Sequence, residues 1–149
     1  MRLEEYLDPD LVLPDLKAGA KADVLKEMTR AIAARHPHLD ADHALSVLLD
    51  REALGTTGIG DGVAIPHGKL PALENIIVLV GRSLHGVDFE ALDFKPCNVF
   101  FLVLAPEQMT GIHLRILAHI SRLIKDESFR RDFFDAADRD ALYGLLRSY

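Results

Sequence analysis

Apolar residues at Val24, Leu25, Met28, Ala31 and Ile32 recur at the spacing that stacks side chains on one helical face, so residues 22–35 read as an amphipathic core-covering helix. The segment His36-Pro37-His38-Leu39 breaks that pattern. Asp40 then stands where it can cap a second helix with an apolar set of Ala44, Leu45, Leu48 and Leu49, and Gly55 offers its stop. Farther along, the runs at 76–81 (IIVLVG) and 99–104 (VFFLVL) are β-branched or aromatic and lack polar alternation, which predicts strands covered on two faces. Helical spacing returns over 112–125, where Ile116, Leu117, Ile120, Leu123 and Ile124 share a side opposite Arg115, His119 and Arg122. Two shorter helices are expected at 127–136 and 139–147, the first opened by Asp126 as its cap. The whole pattern describes an α/β fold, a sheet with helices on both faces, and no repeat or linker divides it.

Composition narrows the class. A chain of 149 residues with 49% hydrophobic and 27% charged side chains suits one globular domain over residues 1–149, large enough to fold without disulfides or a structural metal. The formal charge of −6 argues against electrostatic capture of nucleic acid, which needs clustered Lys and Arg. Cys97 is the single cysteine and stands beside an apolar run, so it reads as a core or strand-edge residue. The opening MRLEEYLDPD lacks the basic-then-apolar order of a signal peptide, and the longest apolar runs fall far short of the roughly 20 residues that span a bilayer. A cytoplasmic protein with no stable membrane insertion is expected.

The most unusual stretch is GTTGIGDGVAIPHG at 55–68, with five glycines in fourteen residues around a short β-like piece, Val63-Ala64-Ile65. Glycines let this backbone turn sharply or approach another group, and Pro66 biases Ile65 toward an extended conformation, so the loop holds His67 outward. An imidazole, with a reference pKa of about 6.5, suits a nucleophile or proton carrier near neutrality. Spacing alone favours a plainer reading, a connecting loop with an exposed histidine. The pattern is not a nucleotide cradle either, since GIGDG is not G-x-G-x-x-G opening a helix and no G-K-[ST] follows.

TGIGDGVAIPHGKL at 57–70 resembles the phosphorylation-site signature of the IIA domains of the fructose, mannitol and nitrogen-regulatory phosphotransferase family. The likeness extends upstream to Arg51-Glu52-Ala53-Leu54-Gly55 and downstream to Ala105-Pro106-Glu107 and the segment at 113–123, HLRILAHISRL, so it covers nearly the whole chain. It implies a single domain whose mixed β-sheet is flanked by helices on both faces. It also implies that His67 takes phosphate from the phosphohistidine of an HPr-type carrier protein, with His113 supporting the phosphate and Arg51 stabilising it. Phosphoryl transfer is chiefly positioning and charge stabilisation, and a guanidinium and a helix N-terminus suit that chemistry. No metal, nucleotide or other cofactor is expected within the domain.

Two roles follow from the resemblance. In the first, the chain is a phosphotransferase component of sugar uptake, passing phosphate from His67 to a cysteine of a IIB protein or domain. In the alternative it is a regulatory, nitrogen-type protein whose phosphorylation state controls binding to target proteins. A histidine-pair hydrolase or metal enzyme is a third class, to be revived by stoichiometric metal.

Each residue also has a plainer role. Arg51 in the last turn of a helix suits the dipole there. His113 lies on the apolar stripe with positions 116, 117, 120 and 124 and could be a half-buried capping residue. His36, His38 and His43 lack a recognised metal spacing. His85, in a loop-like GRSLHGVDF segment, and His119, on the polar side of its helix, read as surface residues. Thr56 and Thr57 suit capping or turn formation, and the role of Asp61 stays open.

Overall fold

The computed structural model describes residues 2–149. Six strands form one mixed sheet: β1 (Leu7–Leu13), β2 (Gly58–Gly60), β3 (Val63–Ala64), β4 (His67–Lys69), β5 (Ile77–Val87) and β6 (Cys97–Ala105). Their order is β1-β5-β6-β3-β2, with β4 continuing along the same side of β6 that β3 occupies. The long β5 and β6 pair antiparallel at the centre, β1 runs parallel to β5, and β3 and β4 run parallel to β6.

Five helices cover the sheet: α1 (Lys21–Arg35), α2 (Ala41–Ala53), α3 (Thr110–Leu123), α4 (Glu127–Asp135) and α5 (Arg139–Arg147). The absence of alternation in the two apolar runs has its explanation here. Val99, Phe101 and Val103 of β6 pack with Ile116, Ile120, Phe129, Phe133 and Leu142 of the last three helices. Phe100, Leu102 and Leu104 turn the other way and pack with Val24, Leu25, Met28, Ile32 and Leu48 of the first two. Among the described residues no helix is long and apolar enough to cross a membrane.

The helix boundaries follow from local chemistry. Asp40 caps α2 by accepting from the backbone N–H of Asp42 and of His43, and Asp126 caps α4 by accepting from Ser128 and Phe129. α3 takes in Thr110 and Gly111 and ends at Leu123, short of the expected 125.

Several sheet features depart from the sequence pattern. β1 carries Asp-Pro-Asp, which hides it, yet as an edge strand with an irregular register it accommodates Pro9 without breaking a ladder on both sides. β5 runs on through Arg82 to Val87, so His85 lies on a strand rather than in a loop, although it is exposed as expected. The polar residues that mask this extension are satisfied internally: the buried Arg82 guanidinium donates to the carbonyls of Pro14, Phe133, Phe134 and Ala136. The glycine-rich stretch is itself largely sheet. β2 and β3 make a hairpin whose turn residues, Asp61 and Gly62, both have positive φ (57° and 76°), the conformation that Asp-Gly favours. Asp61 is therefore a turn residue on the surface, and its backbone N–H donates to Asp93.

Candidate functional site

Only three residues make up β4, and they are tightly located. The N–H of Val103 donates to the Pro66 carbonyl and that of Leu70 to the Ala105 carbonyl, both at 3.0 Å, so the strand is anchored to β6 at each end. Gly68 is placed by space, not by backbone angle: a Cβ there would come within 2.6 Å of Val47 Cγ1, so α2 rests directly on β4. His67 is thus presented from a strand pinned between β6 and α2, a more rigid mount than a loop.

The half-buried His67 ring has its Nδ1 2.8 Å from the carbonyl oxygen of Ile65. A carbonyl only accepts, so Nδ1 carries the proton and donates, which leaves the lone pair on Nε2. The ring of His113, in the first turn of α3, meets His67 edge-on with centroids 5.9 Å apart and planes at 72°. His113 is only 4% exposed, and among the described residues its buried Nε2 has no hydrogen-bond partner. Burial, followed by the neighbouring His67 and Lys69, lowers its pKa below the ordinary imidazole value. The pair sets a ring nitrogen with a free lone pair beside a buried imidazole whose Nε2 has no partner among the described residues.

Lys69 completes this corner, and nothing in the sequence reading singled it out. Its Nζ donates to the Thr110 hydroxyl at 2.9 Å, which draws a cation to the start of α3. Its place two residues after His67 on a strand, hence on the same side, is the signal that would have found it. Arg51 is arranged differently. Its guanidinium donates to the Gly55 carbonyl at 2.9 Å, the helix-end role that its position suits, and among the described residues no hydrogen bond joins it to either histidine. It stands on α2 one turn after Val47, the residue that faces Gly68.

The remaining histidines stay outside this corner. His36, His38 and His43 line a groove with Leu39, Leu70 and Ile76, and no group of three or more His, Cys, Asp or Glu among the described residues is arranged to hold a metal ion. His119 is half-buried, which corrects its surface reading: its Nε2 is enclosed with no partner among the described residues, and burial and Arg122 lower its pKa. Cys97 is fully buried.

A mixed sheet with helices on both faces, in which a histidine on a short parallel strand meets a second histidine on α3, is the architecture of a phosphotransferase IIA domain. The chain belongs to the family described as phosphoenolpyruvate-dependent sugar phosphotransferase system, EIIA 2, which matches residues 5–149. It is 41% identical over 146 residues to a nitrogen regulatory protein of Bradyrhizobium diazoefficiens, covering 98% of this chain and 95% of that one. It is also 30% identical over 149 residues to a fructose-specific EIIABC component of Bacillus subtilis, covering all of this chain but 24% of that longer protein. The crystal structure of nitrogen regulatory protein IIA-Ntr from Neisseria meningitidis superposes with a TM-score of 0.90 at 29% identity, covering 97% of this chain and 98% of that one.

Proposed function

We propose that His67 accepts a phosphoryl group on Nε2 from an HPr-type phosphohistidine protein, and that the chain uses the resulting phosphorylation state as a regulatory signal. The observation that carries this reading is the Nδ1–H bond to Ile65, which leaves Nε2 as the one ring nitrogen with a free lone pair. Nε2 attacks phosphorus as the nitrogen–phosphorus bond of the donor breaks, and the electron pair of that bond stays on the donor nitrogen, whose ring keeps the proton on its other nitrogen and so leaves as a neutral imidazole. The His67 ring gains positive character as the new bond forms, and the Ile65 carbonyl, already accepting from Nδ1, stabilises it.

His113 and Arg51 have supporting roles in this reading. The unpartnered Nε2 of His113 is the kind of buried polar atom that a phosphate oxygen would satisfy, with the proton moved to that nitrogen. Arg51 reaches the phosphate by leaving the Gly55 carbonyl, and Lys69 adds a second cation beside it. Positive charge placed against the phosphate oxygens is the main resource of phosphoryl transfer.

Similarity over nearly the full length of a nitrogen regulatory protein supports the regulatory role. The second reading, sugar uptake by transfer from His67 to a IIB cysteine, draws on the likeness to the fructose-specific component. In the deciding experiment the protein is incubated with phosphoenolpyruvate, enzyme I and HPr. Acid-labile, alkali-stable phosphate is expected on the native chain and none on His67→Ala; label retained by the variant sinks the assignment. Efficient passage of that phosphate to a IIB cysteine would favour uptake over regulation.

A further inference from the structure

The last turn of α2 carries a buried ion pair that the phosphate-accepting corner does not itself use. The side chains of Glu52 and Lys21 are 3% and 13% exposed, and Lys21 Nζ lies 3.0 Å from Glu52 Oε1. Lys21 also stands 4.9 Å from the centre of the Phe89 ring and donates to the Thr56 hydroxyl at 3.3 Å. Replacing such a pair with apolar groups of similar size is often neutral or stabilising, so stability by itself gives little reason for it.

What the carboxylate holds is the beginning of the glycine-rich stretch. Glu52 Oε1 accepts from the backbone N–H of Thr57 at 3.0 Å, and Oε2 accepts from the Thr57 hydroxyl. An acceptor-only carboxylate suits both donors at once; an amide would turn its NH2 toward one of them. Thr57 is 4% exposed, and with both bonds made its backbone has one orientation.

From Thr57 the connection continues to the nucleophile. The Thr57 carbonyl accepts from the N–H of Ile65 at 3.0 Å, and the Ile65 carbonyl accepts from His67 Nδ1 at 2.8 Å. Pro66 confines Ile65 to extended angles, so once its N–H is pinned the direction of its carbonyl is set as well. Position, not a proton, passes along this path, because at Thr57 and again at Ile65 the two bonds belong to peptide groups on opposite sides of one Cα.

We propose that Glu52 is a positioning residue for phosphate acceptance: held by Lys21, it fixes Thr57, which fixes Ile65, which keeps the proton of His67 on Nδ1 and the lone pair on Nε2. This rests on the reading of His67 as the phosphate acceptor.

The test uses Glu52→Gln, which keeps shape and one acceptor, and Thr57→Val, which removes only the hydroxyl and stands in should the first variant not fold. Nitrogen-15 NMR of the full chain, above the pH range in which imidazole titrates, reads the two neutral tautomers of His67 with no phosphate donor present. The native protein is expected to show Nδ1–H almost alone, and the variants a mixture. With phospho-HPr as donor, the maximal rate of phosphate acceptance is expected to fall about tenfold in Glu52→Gln, with the half-saturating donor concentration unchanged. A folded Glu52→Gln protein with the native tautomer distribution overturns the proposal. Native protein that takes no phosphate on His67 while the variants still shift the tautomer overturns the acceptor reading instead, so the two failures are distinct.

Discussion

At His113 the fold encloses a ring nitrogen that has no partner among the described residues. Burial is the largest cause of its lowered pKa, and His67 and Lys69 add to it. The unfolded chain therefore binds a proton here before the folded one does. The stability contributed by neutral His113 is present in full above the ordinary imidazole value, about 6.5, and is lost as pH falls from there to the lowered folded value. A phosphoryl group on His67 would put an anion next to His113 and favour its protonated form. The His113 ring protons are expected to titrate at higher pH in the phosphorylated protein than in the unmodified one, as followed by NMR; identical titration curves would remove His113 from the phosphate. His67 was legible through the IPHG segment and His113 through the family resemblance alone, but the contact between their rings was not. Two histidines far apart in sequence meet only because β4 lies along β6 and the chain leaving β6 turns directly into α3.

At the scale of elements, the contact between α2 and β4 carries the site. α2 delivers Arg51 and Glu52 at its C-terminal end and touches β4 through Val47, where Gly68 leaves room for it. Gly68→Ala would drive a methyl group into Val47 and push helix from strand, a form of overpacking that costs about 1–3 kcal/mol. Denaturant unfolding is expected to show that loss, and Val47→Ala in the same chain is expected to recover part of it. Additive losses in the double variant would mean that the two side chains do not compete for the space. The caps at Asp40 and Asp126 and the span of α5 are plain in the sequence, because capping is decided within three or four residues. The hairpin at Asp61-Gly62 was equally local, yet reading the glycines as a loop obscured it. β1 and the far half of β5 were hidden for a different reason: their polar residues are satisfied by segments distant in sequence, as Arg82 is by the end of α4.

At the scale of the whole molecule, the sheet is packed from both sides, and Cys97 lies fully buried at the start of its central strand β6. Burial, reinforced by the charge of Asp93, pushes the thiol up to about 11. The thiolate is the reactive form, so Cys97 is expected to resist a soluble thiol reagent at pH 8 in the native protein and to react fully in denaturant. Rapid reaction without denaturant would show that this part of the sheet opens readily.

By itself the sequence determined the helices and the caps of α2 and α4, the two central strands, and the motif around His67 that marks the family, because each depends on neighbours or on a short repeat period. Only the tertiary structure decided which nitrogen of His67 is free, that His113 lies against it with an unsatisfied ring nitrogen, that Arg51 rests on the Gly55 carbonyl, and that Glu52 reaches His67 through Thr57 and Ile65. The His67–His113 contact joins residues far apart in sequence, and the shorter-range bonds of Arg51, Glu52 and His67 depend on how the chain turns around them. Periodicity and propensity along the chain carry no record of them, since they arise only when the elements pack.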